Sequence, residues 1–102
     1  MAEFNKADVV LSIPRKFTKP ELARALRQSI ADEYEAIHIY TQIAEATDDT
    51  FIKAVIIDIV WEEQLHASQF WELLSEVDPS ESEAWEQAVK ENREHKAKLK
   101  KK

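Results

Sequence analysis

The stretch from residue 52 to residue 77 constrains this chain most, because it places two polar groups in an apolar helical stripe. Steps of four and three residues pick out one face of a predicted helix. That face carries Ile52, Ile56, Ile59, Glu63, His66, Phe70, Leu73 and Val77. Glu63 and His66 are three residues apart and point the same way from the helix. A buried face holds such groups only if something compensates them, and a metal ion is the obvious candidate.

The composition favours helices over strands. The 102-residue chain is sized for one domain, and it has no Gly, whereas sheet proteins normally need Gly in their turns. It has no Cys, which excludes a disulfide framework, a thiolate zinc site and a Cys nucleophile. No stretch is typical of a signal peptide or a membrane span, so we expect a cytoplasmic, all-α protein without a membrane partner.

Charge is distributed unevenly along the chain. The formal net charge is −6, and because residues 96–102 carry five Lys and no acid, the rest of the chain stands at −11. An acidic body argues against nucleic acid as a partner and favours attraction of small cations, although acidic surfaces are also simply soluble.

Period and cap signals divide the chain into an arm, a helical domain and a tail. Residues 1–17 show no sustained period, and their apolar patch Val9–Ile13 is interpreted as an extended arm or, alternatively, as a docking segment for a partner. Residues 18–98 form the predicted helical domain, and residues 99–102 form a basic tail.

Two capping boxes and one short turn predict three helices. Thr18–Glu21 opens the first, which runs to about Ala46, and Asp78–Glu81 opens the third, over residues 79–98. The short connection 47–50 forces the second helix to run antiparallel to the first. The stripe of the first helix comprises Leu22, Leu26, Ser29, Glu33, Ala36, Tyr40 and Ile43. A flanking apolar row comprises Ile30, Ile37 and Ala44.

Three polar side chains are predicted to meet between the first two helices. The middle of one antiparallel helix faces the middle of the other, which brings Glu33 to the level of Glu63 and His66. Two carboxylates and one imidazole suit Fe(II), Mn(II) or Zn(II). Two helices are half of a four-helix bundle, so a two-fold dimer would cover the stripes and double the ligands to four Glu and two His. That set is the inventory of di-iron carboxylate bundles.

Other polar and aromatic side chains near this site give weaker signals. Glu62 lies about 100° round the helix from Glu63 and is expected to face solvent. Tyr40 either donates a hydrogen bond to a ligand carboxylate or packs as an aromatic ring. The three Trp are interpreted as packing residues.

Asp32, Glu35 and His38 lie off the Glu33 face of the first helix. A solvated face is the simpler interpretation for them, and a second cation site at another subunit contact is the alternative. His95, in the third helix, is expected to be solvated.

The residues of the predicted site resemble those of a known family. Glu33, its spacing to Tyr40, and Glu62-Glu63-Gln64-Leu65-His66 resemble the encapsulated ferritins, the ferritin-like cargo proteins of encapsulin nanocompartments. The resemblance covers roughly residues 17–77. The Glu-x-x-His element is shared with rubrerythrins and ferritins, so the distinctive feature is the half-length format, in which one chain supplies half of a bundle.

The resemblance implies a ferroxidase that oxidises Fe(II) to Fe(III) with oxygen, for iron storage or detoxification inside an encapsulin shell. Its di-iron centre would lie between two subunits, with Glu33, Glu63 and His66 of each chain as ligands and Tyr40 beside them. Zn, Mn or Ca are possible substitutes for Fe. The resemblance also implies a ring of five dimers and an acidic access site for iron, which maps to Asp32 and Glu35.

The sequence departs from the family pattern at two places. The family often has a Trp just before the Tyr, where this chain has Ile39. The family's cargo proteins usually end in an apolar docking peptide, whereas this chain ends Lys98-Leu99-Lys100-Lys101-Lys102. The chain is therefore a truncated form, reaches a shell another way, or works without one, and Val9–Ile13 is an alternative docking segment.

Two other functions compete with the ferroxidase hypothesis. Zn(II) or Mn(II) in the same ligands would hold an assembly together without redox turnover. A plain helical dimer or adaptor would use its buried polar residues only to set the register of packing.

Overall fold

The computed structural model describes residues 15–101, which form three α-helices. Helix α1 spans Lys19–Ala46, helix α2 spans Thr50–Val77 and helix α3 spans Ser80–Lys100. No strand occurs in the described range, so the all-α class is confirmed. Within that range no helix combines the length and the apolar character needed to span a membrane. The apolar patch of the predicted arm lies outside the described residues, and the division into arm, domain and tail stays a prediction.

The start of α1 is fixed by the predicted capping box. The Thr18 hydroxyl accepts from the Glu21 amide at 3.3 Å, and the Glu21 carboxylate accepts from the Thr18 amide at 2.8 Å. Arg15 adds a bidentate pair to the same carboxylate, at 2.7 and 2.8 Å. The capping box satisfies two amides at the helix start that have no partner within the helix, and Arg15 holds the Glu21 carboxylate in place.

Folding stability is expected to depend on Glu21 at acid pH. The Arg15 hydrogen bonds and the Thr18 amide lower the pKa of Glu21 from 4.5 to about 2. A carboxyl group with a lowered pKa stabilises the fold above its ordinary pKa, and this contribution is lost as pH falls from 4.5 towards 2. Urea unfolding of Glu21→Gln at pH 6 and pH 3 should therefore show a smaller acid loss than the parent. An equal loss in both proteins would contradict this assignment.

Helices α1 and α2 form an antiparallel hairpin held by a narrow apolar seam. The Asp49 carboxylate caps α2 by accepting from the Phe51 and Ile52 amides at 2.9 and 3.0 Å. Leu74 is fully buried, and its cluster includes three residues of α1. The buried apolar residues are Ala23, Leu26, Ile30, Ala44, Ala67 and Leu74. Seven-residue steps connect most of them, as expected of two helices that pack lengthwise.

The seam coincides only in part with the two stripes predicted from the sequence: Leu26 of the first stripe is buried, and Phe70 and Val77 of the second pack against the core. In α1 the buried positions Ile30 and Ala44 belong to the flanking row, whereas the stripe residues Leu22 and Ile43 are 39% and 43% exposed. In α2 the stripe residue Leu73 is 48% exposed beside the fully buried Leu74. The exposed stripe residues Leu22, Ile43 and Leu73 therefore lie along one edge of the seam, where a single chain leaves them partly open to solvent.

Arg27 of α1 binds the segment that joins α2 to α3. Its guanidinium donates to Glu81 at 2.8 Å and to Asp78 at 2.6 Å. The predicted capping box at Asp78–Glu81 is wrong, because Arg27 holds the Glu81 carboxylate that would complete it. Asp78 instead accepts from the Ser80 amide at 3.2 Å, and Pro79 stands as the helical N-cap residue without a side-chain cap.

Candidate metal centre

The structure brings together the three side chains that the sequence singled out. Glu33 lies near the middle of α1, and Glu63 and His66 lie near the middle of α2. One ligand atom from each side chain lies within 4.8 Å of the others. The antiparallel hairpin produces this meeting, because residues at the same distance from the turn stand at the same level.

Within the part of the chain that the structure describes, one oxygen of this cluster is buried without a hydrogen-bond partner. Glu33 Oε2 is inaccessible to solvent and pairs with no group among residues 15–101. The Glu63 side chain is 23% exposed and that of His66 is 51% exposed. His66 Nδ1 lies 4.0 Å from a Glu63 carboxylate oxygen, which is too long for a hydrogen bond. A buried polar atom without a partner is costly, so the cluster has unused capacity for a ligand.

The electrostatics of the cluster also favour a cation. Burial, which has the largest effect, and the neighbouring Glu63 and Asp32 carboxylates together raise the pKa of Glu33 from 4.5 to about 7. Two carboxyl groups this close repel each other when both are ionised. A divalent cation would remove that repulsion and occupy the free lone pairs. Oxygen and imidazole donors suit borderline divalent metals, so the residues present fit a metal ion.

Tyr40 lies about two helical turns beyond Glu33 on α1. The residue is half-buried, and within residues 15–101 its hydroxyl donates to none of the three side chains. Its proposed role beside the ligands therefore stays a prediction. Glu62 is exposed, as expected from its position round the helix.

The acidic residues beside Glu33 differ in their surroundings. Asp32 is only 7% exposed, and its carboxylate accepts from Gln28 at 3.0 Å. The expectation of a solvated face is wrong for Asp32, because Gln28 one turn earlier satisfies it within the protein. Glu35 and His38 are exposed, as is His95 in α3. The assignment of Asp32 and Glu35 as an access site stays a prediction.

Sequence reasoning missed an aromatic cluster on the other side of the α1–α2 seam. Trp71 donates its indole N–H to the Tyr34 hydroxyl at 3.2 Å, and its ring lies 6.4 Å from that of Trp85. Trp85 is 66% exposed despite its contact with Trp71, and Trp61 is 62% exposed, so the packing role predicted for these two residues is met only in part within one chain. Tyr34 lies about 100° round α1 from Glu33, and this spacing could have indicated that its ring faces a different surface from the metal cluster.

The fold and the cluster together define a ferritin-like helical domain. The rubrerythrin family profile matches residues 24–102. The crystal structure of the encapsulated ferritin domain from Pyrococcus furiosus superposes with a TM-score of 0.76 at 31% identity, covering 82% of this chain and 88% of that one. The chain belongs to the rubrerythrin family and, within it, to the encapsulated ferritins, which confirms the resemblance seen in the sequence.

Two curated relatives share this domain. The chain is 40% identical over 81 residues to the encapsulin nanocompartment cargo protein EncC of Myxococcus xanthus, covering 79% of this chain and 62% of that protein. It is 34% identical over 67 residues to the ferritin-like-encapsulin shell fusion protein of Pyrococcus furiosus, covering 66% of this chain and 19% of that protein. The chain therefore spans less than two thirds of the length of either relative.

Proposed function

We propose that two copies of this chain form a ferroxidase centre that oxidises Fe(II) to Fe(III) with oxygen. The observation that supports the proposal is the buried Glu33 oxygen beside Glu63 and His66, which has no hydrogen-bond partner among residues 15–101. Such an arrangement is costly in the empty protein and becomes favourable once a cation binds. Fe(II) is the substrate, and each pair of chains would bind two ions.

The exposed stripes support a two-fold dimer as the functional unit. Leu22, Ile43, Ile52 and Leu73 are each 39–48% exposed on the edge of the seam that carries the cluster. A second copy would bury these side chains and bring its own cluster to the same place. The combined set of four Glu and two His matches that of di-iron carboxylate bundles. The larger ring of five dimers stays a prediction.

The three side chains would have distinct tasks at this centre. Bound Fe(II) supplies the electrons that reduce oxygen. Glu33 must first lose its proton, and with Glu63 and their copies it offsets the four positive charges of two ions. Because Fe(III) carries more charge than Fe(II), the same carboxylates favour the oxidised product. His66 contributes a neutral nitrogen from the more exposed side of the cluster.

The names of the relatives support a location inside an encapsulin shell. One relative is called an encapsulin nanocompartment cargo protein, and the other joins a ferritin-like part to an encapsulin shell in one chain. We propose that this chain is likewise a shell-associated cargo, and that the shell stores the ferric product. Co-expression with a shell protein of this class, followed by isolation of intact particles, tests whether the chain is enclosed.

Aerobic oxidation of Fe(II) tests the catalytic proposal directly. The parent should produce ferric absorbance much faster than buffer, whereas Glu63→Ala and His66→Ala should approach the buffer rate, since each removes a ligand from both halves of the site. Glu76→Ala and His95→Ala are matched controls, because both residues are exposed and lie outside the cluster. Ligand variants that oxidise iron as fast as the controls would overturn the ferroxidase proposal.

A metal-stabilised assembly without redox turnover is the second candidate function. It is favoured by the ligand set itself, because two carboxylates and an imidazole also suit Zn(II) and Mn(II). Oxygen consumption distinguishes the two candidates. If Zn(II) drives dimer formation but added Fe(II) consumes no oxygen above the buffer rate, the assembly function replaces the ferroxidase.

A further inference from the structure

Helix α3 contacts its own chain only through its first turns, where Glu81 pairs with Arg27 and the Trp85 ring lies beside Trp71. None of its residues is buried, and beyond its first turns it extends away from the hairpin. The rest of this 21-residue helix lacks tertiary packing within residues 15–101, and a helix of that kind is marginally stable in water. Its apolar side chains Trp85 and Leu99 are 66% and 70% exposed. These properties indicate that α3 packs against something outside its own chain.

A groove of about 510 Å³ lies where α3 leaves the hairpin. Its walls combine aromatic rings and carboxylates: Tyr34, Trp71, Trp85, Glu72, Glu81 and Glu86. Serines complete the lining, and no Lys, Arg or His belongs to it among residues 15–101, although Glu81 is already paired with Arg27 at its edge. Aromatic faces next to carboxylates attract alkylammonium groups, through the ring quadrupole and through direct charge attraction.

The charges along α3 supply the matching cation. Residues 80–89 contain three acids and no base, whereas residues 90–100 contain five bases and two acids. The lysine-rich end of α3 is formed by Lys96, Lys98 and Lys100, with Leu99 among them, and all of these residues are exposed. Two α3 helices placed antiparallel would set each acidic half against the basic half of the other.

The lysine-rich end cannot enter the groove of its own chain. Helix α3 lines the groove with residues up to Glu86, and Lys96 lies ten residues further along the same helix. At a rise of about 1.5 Å per residue the separation is roughly 15 Å, and a continuous helix cannot fold back on itself. Only a second copy can bring these lysines to the groove.

We propose that the groove receives the lysine-rich end of α3 from a second copy, in a reciprocal antiparallel pairing of the two α3 helices. The aromatic rings would contact Leu99 and the aliphatic stems of the lysines. The carboxylates of Glu72 and Glu86 would pair with the lysine ammonium groups. This contact uses none of the residues of the metal cluster, so it stands whether or not the proposed ferroxidase does. If both contacts form, each chain has two different two-fold partners, which links dimers into a larger assembly.

Disulfide trapping tests the pairing cleanly, because the chain has no Cys of its own. In fully overlapped antiparallel α3 helices, Ser82 of one copy lies opposite Lys98 of the other. Within one chain the two positions are about 24 Å apart, far beyond the roughly 7 Å that a disulfide spans. We therefore expect mixed Ser82→Cys and Lys98→Cys proteins to cross-link about tenfold faster or more than a mixture of Ser82→Cys and Lys53→Cys.

The cross-linking conditions distinguish the α3–α3 contact from the proposed metal-dependent dimer contact. Cross-linking is measured with a chelator present and in a His66→Ala background, so failure of the ferroxidase proposal leaves its result unchanged. High salt and Trp85→Ala should each slow the reaction, because they remove the charge attraction and an aromatic wall. Helicity by circular dichroism confirms that each variant is folded. A rate equal to that of the Lys53→Cys control would overturn the pairing.

A doubly substituted chain tests the reciprocity. Ser82→Cys combined with Lys98→Cys should close into a covalent dimer with two disulfides and no free thiol, as a two-fold contact requires. A ladder of larger covalent multimers would show head-to-tail contact instead and would overturn the reciprocal pairing.

Discussion

Glu33→Gln is expected to abolish most of the iron oxidation and, at the same time, to make the metal-free protein more stable. The substitution keeps the shape of the side chain but removes a metal ligand from both halves of the proposed centre. It also removes a carboxyl group whose ionised form destabilises the fold, because burial beside Glu63 raises the pKa of Glu33 to about 7. Opposite effects on activity and stability are typical of a functional group in a strained site.

The gain in stability should depend on pH with a defined sign. A carboxyl group whose pKa is raised by folding binds its proton more tightly in the folded state, so the parent loses stability as pH rises from 4.5 to about 7. Gln has no proton to lose. The variant should therefore match the parent near pH 4 and exceed it at pH 8, by on the order of 1–2 kcal/mol after allowing for solvent screening.

Urea unfolding in the presence of a chelator, at one protein concentration, measures this difference. Glu62→Gln is the matched control, since Glu62 lies on the same hairpin but is exposed, and its replacement should change neither stability nor the pH profile. A Glu33→Gln protein that unfolds at the same or lower urea than the parent at pH 8 would contradict the proposed electrostatic cost.

Leu74→Ala and Leu73→Ala should have different effects although the two residues are adjacent. Leu74 is fully buried in the seam, and its truncation leaves a cavity that costs about 2–5 kcal/mol, a large part of the stability of a small domain. Leu73 is 48% exposed on the predicted dimer face. Its truncation should leave the single chain nearly unchanged but weaken the dimer about tenfold or more, since each dimer loses two buried leucines.

Two measurements separate these effects. Urea unfolding at low protein concentration reports the hairpin and should shift strongly only for Leu74→Ala. Sedimentation over a range of concentrations reports the dimer and should shift for Leu73→Ala while its helicity is retained. If Leu73→Ala leaves the dimer dissociation constant unchanged, the stripe containing Leu73 is not the dimer face.

Local sequence signals were sufficient for the three helices and, with one added step, for the proximity of three polar side chains. The capping box at Thr18–Glu21 and the Asp49 cap depend on residues a few positions apart, so their chemistry is readable along the chain. The meeting of Glu33 with Glu63 and His66 needed one further step, because a short turn between two long helices leaves only an antiparallel arrangement.

Signals that depend on distant residues were misread. The box at Asp78–Glu81 fails because Arg27, more than fifty residues earlier, takes both carboxylates. Asp32 was expected in solvent, although a residue one turn away binds it inside the protein. Periodicity gave the correct apolar faces but did not separate the row that packs within the chain from the row that stays open.

The sequence by itself determined three helices, an antiparallel hairpin and one cluster of two carboxylates and an imidazole, because each follows from the spacing of residues along one or two helices. Only the tertiary structure decided which apolar row fills the seam, which oxygen of Glu33 is buried without a partner, and where Tyr34, Trp71 and Trp85 form a groove. These depend on how closely two helices approach and on the angle at which α3 leaves them, and no single helical period contains that information.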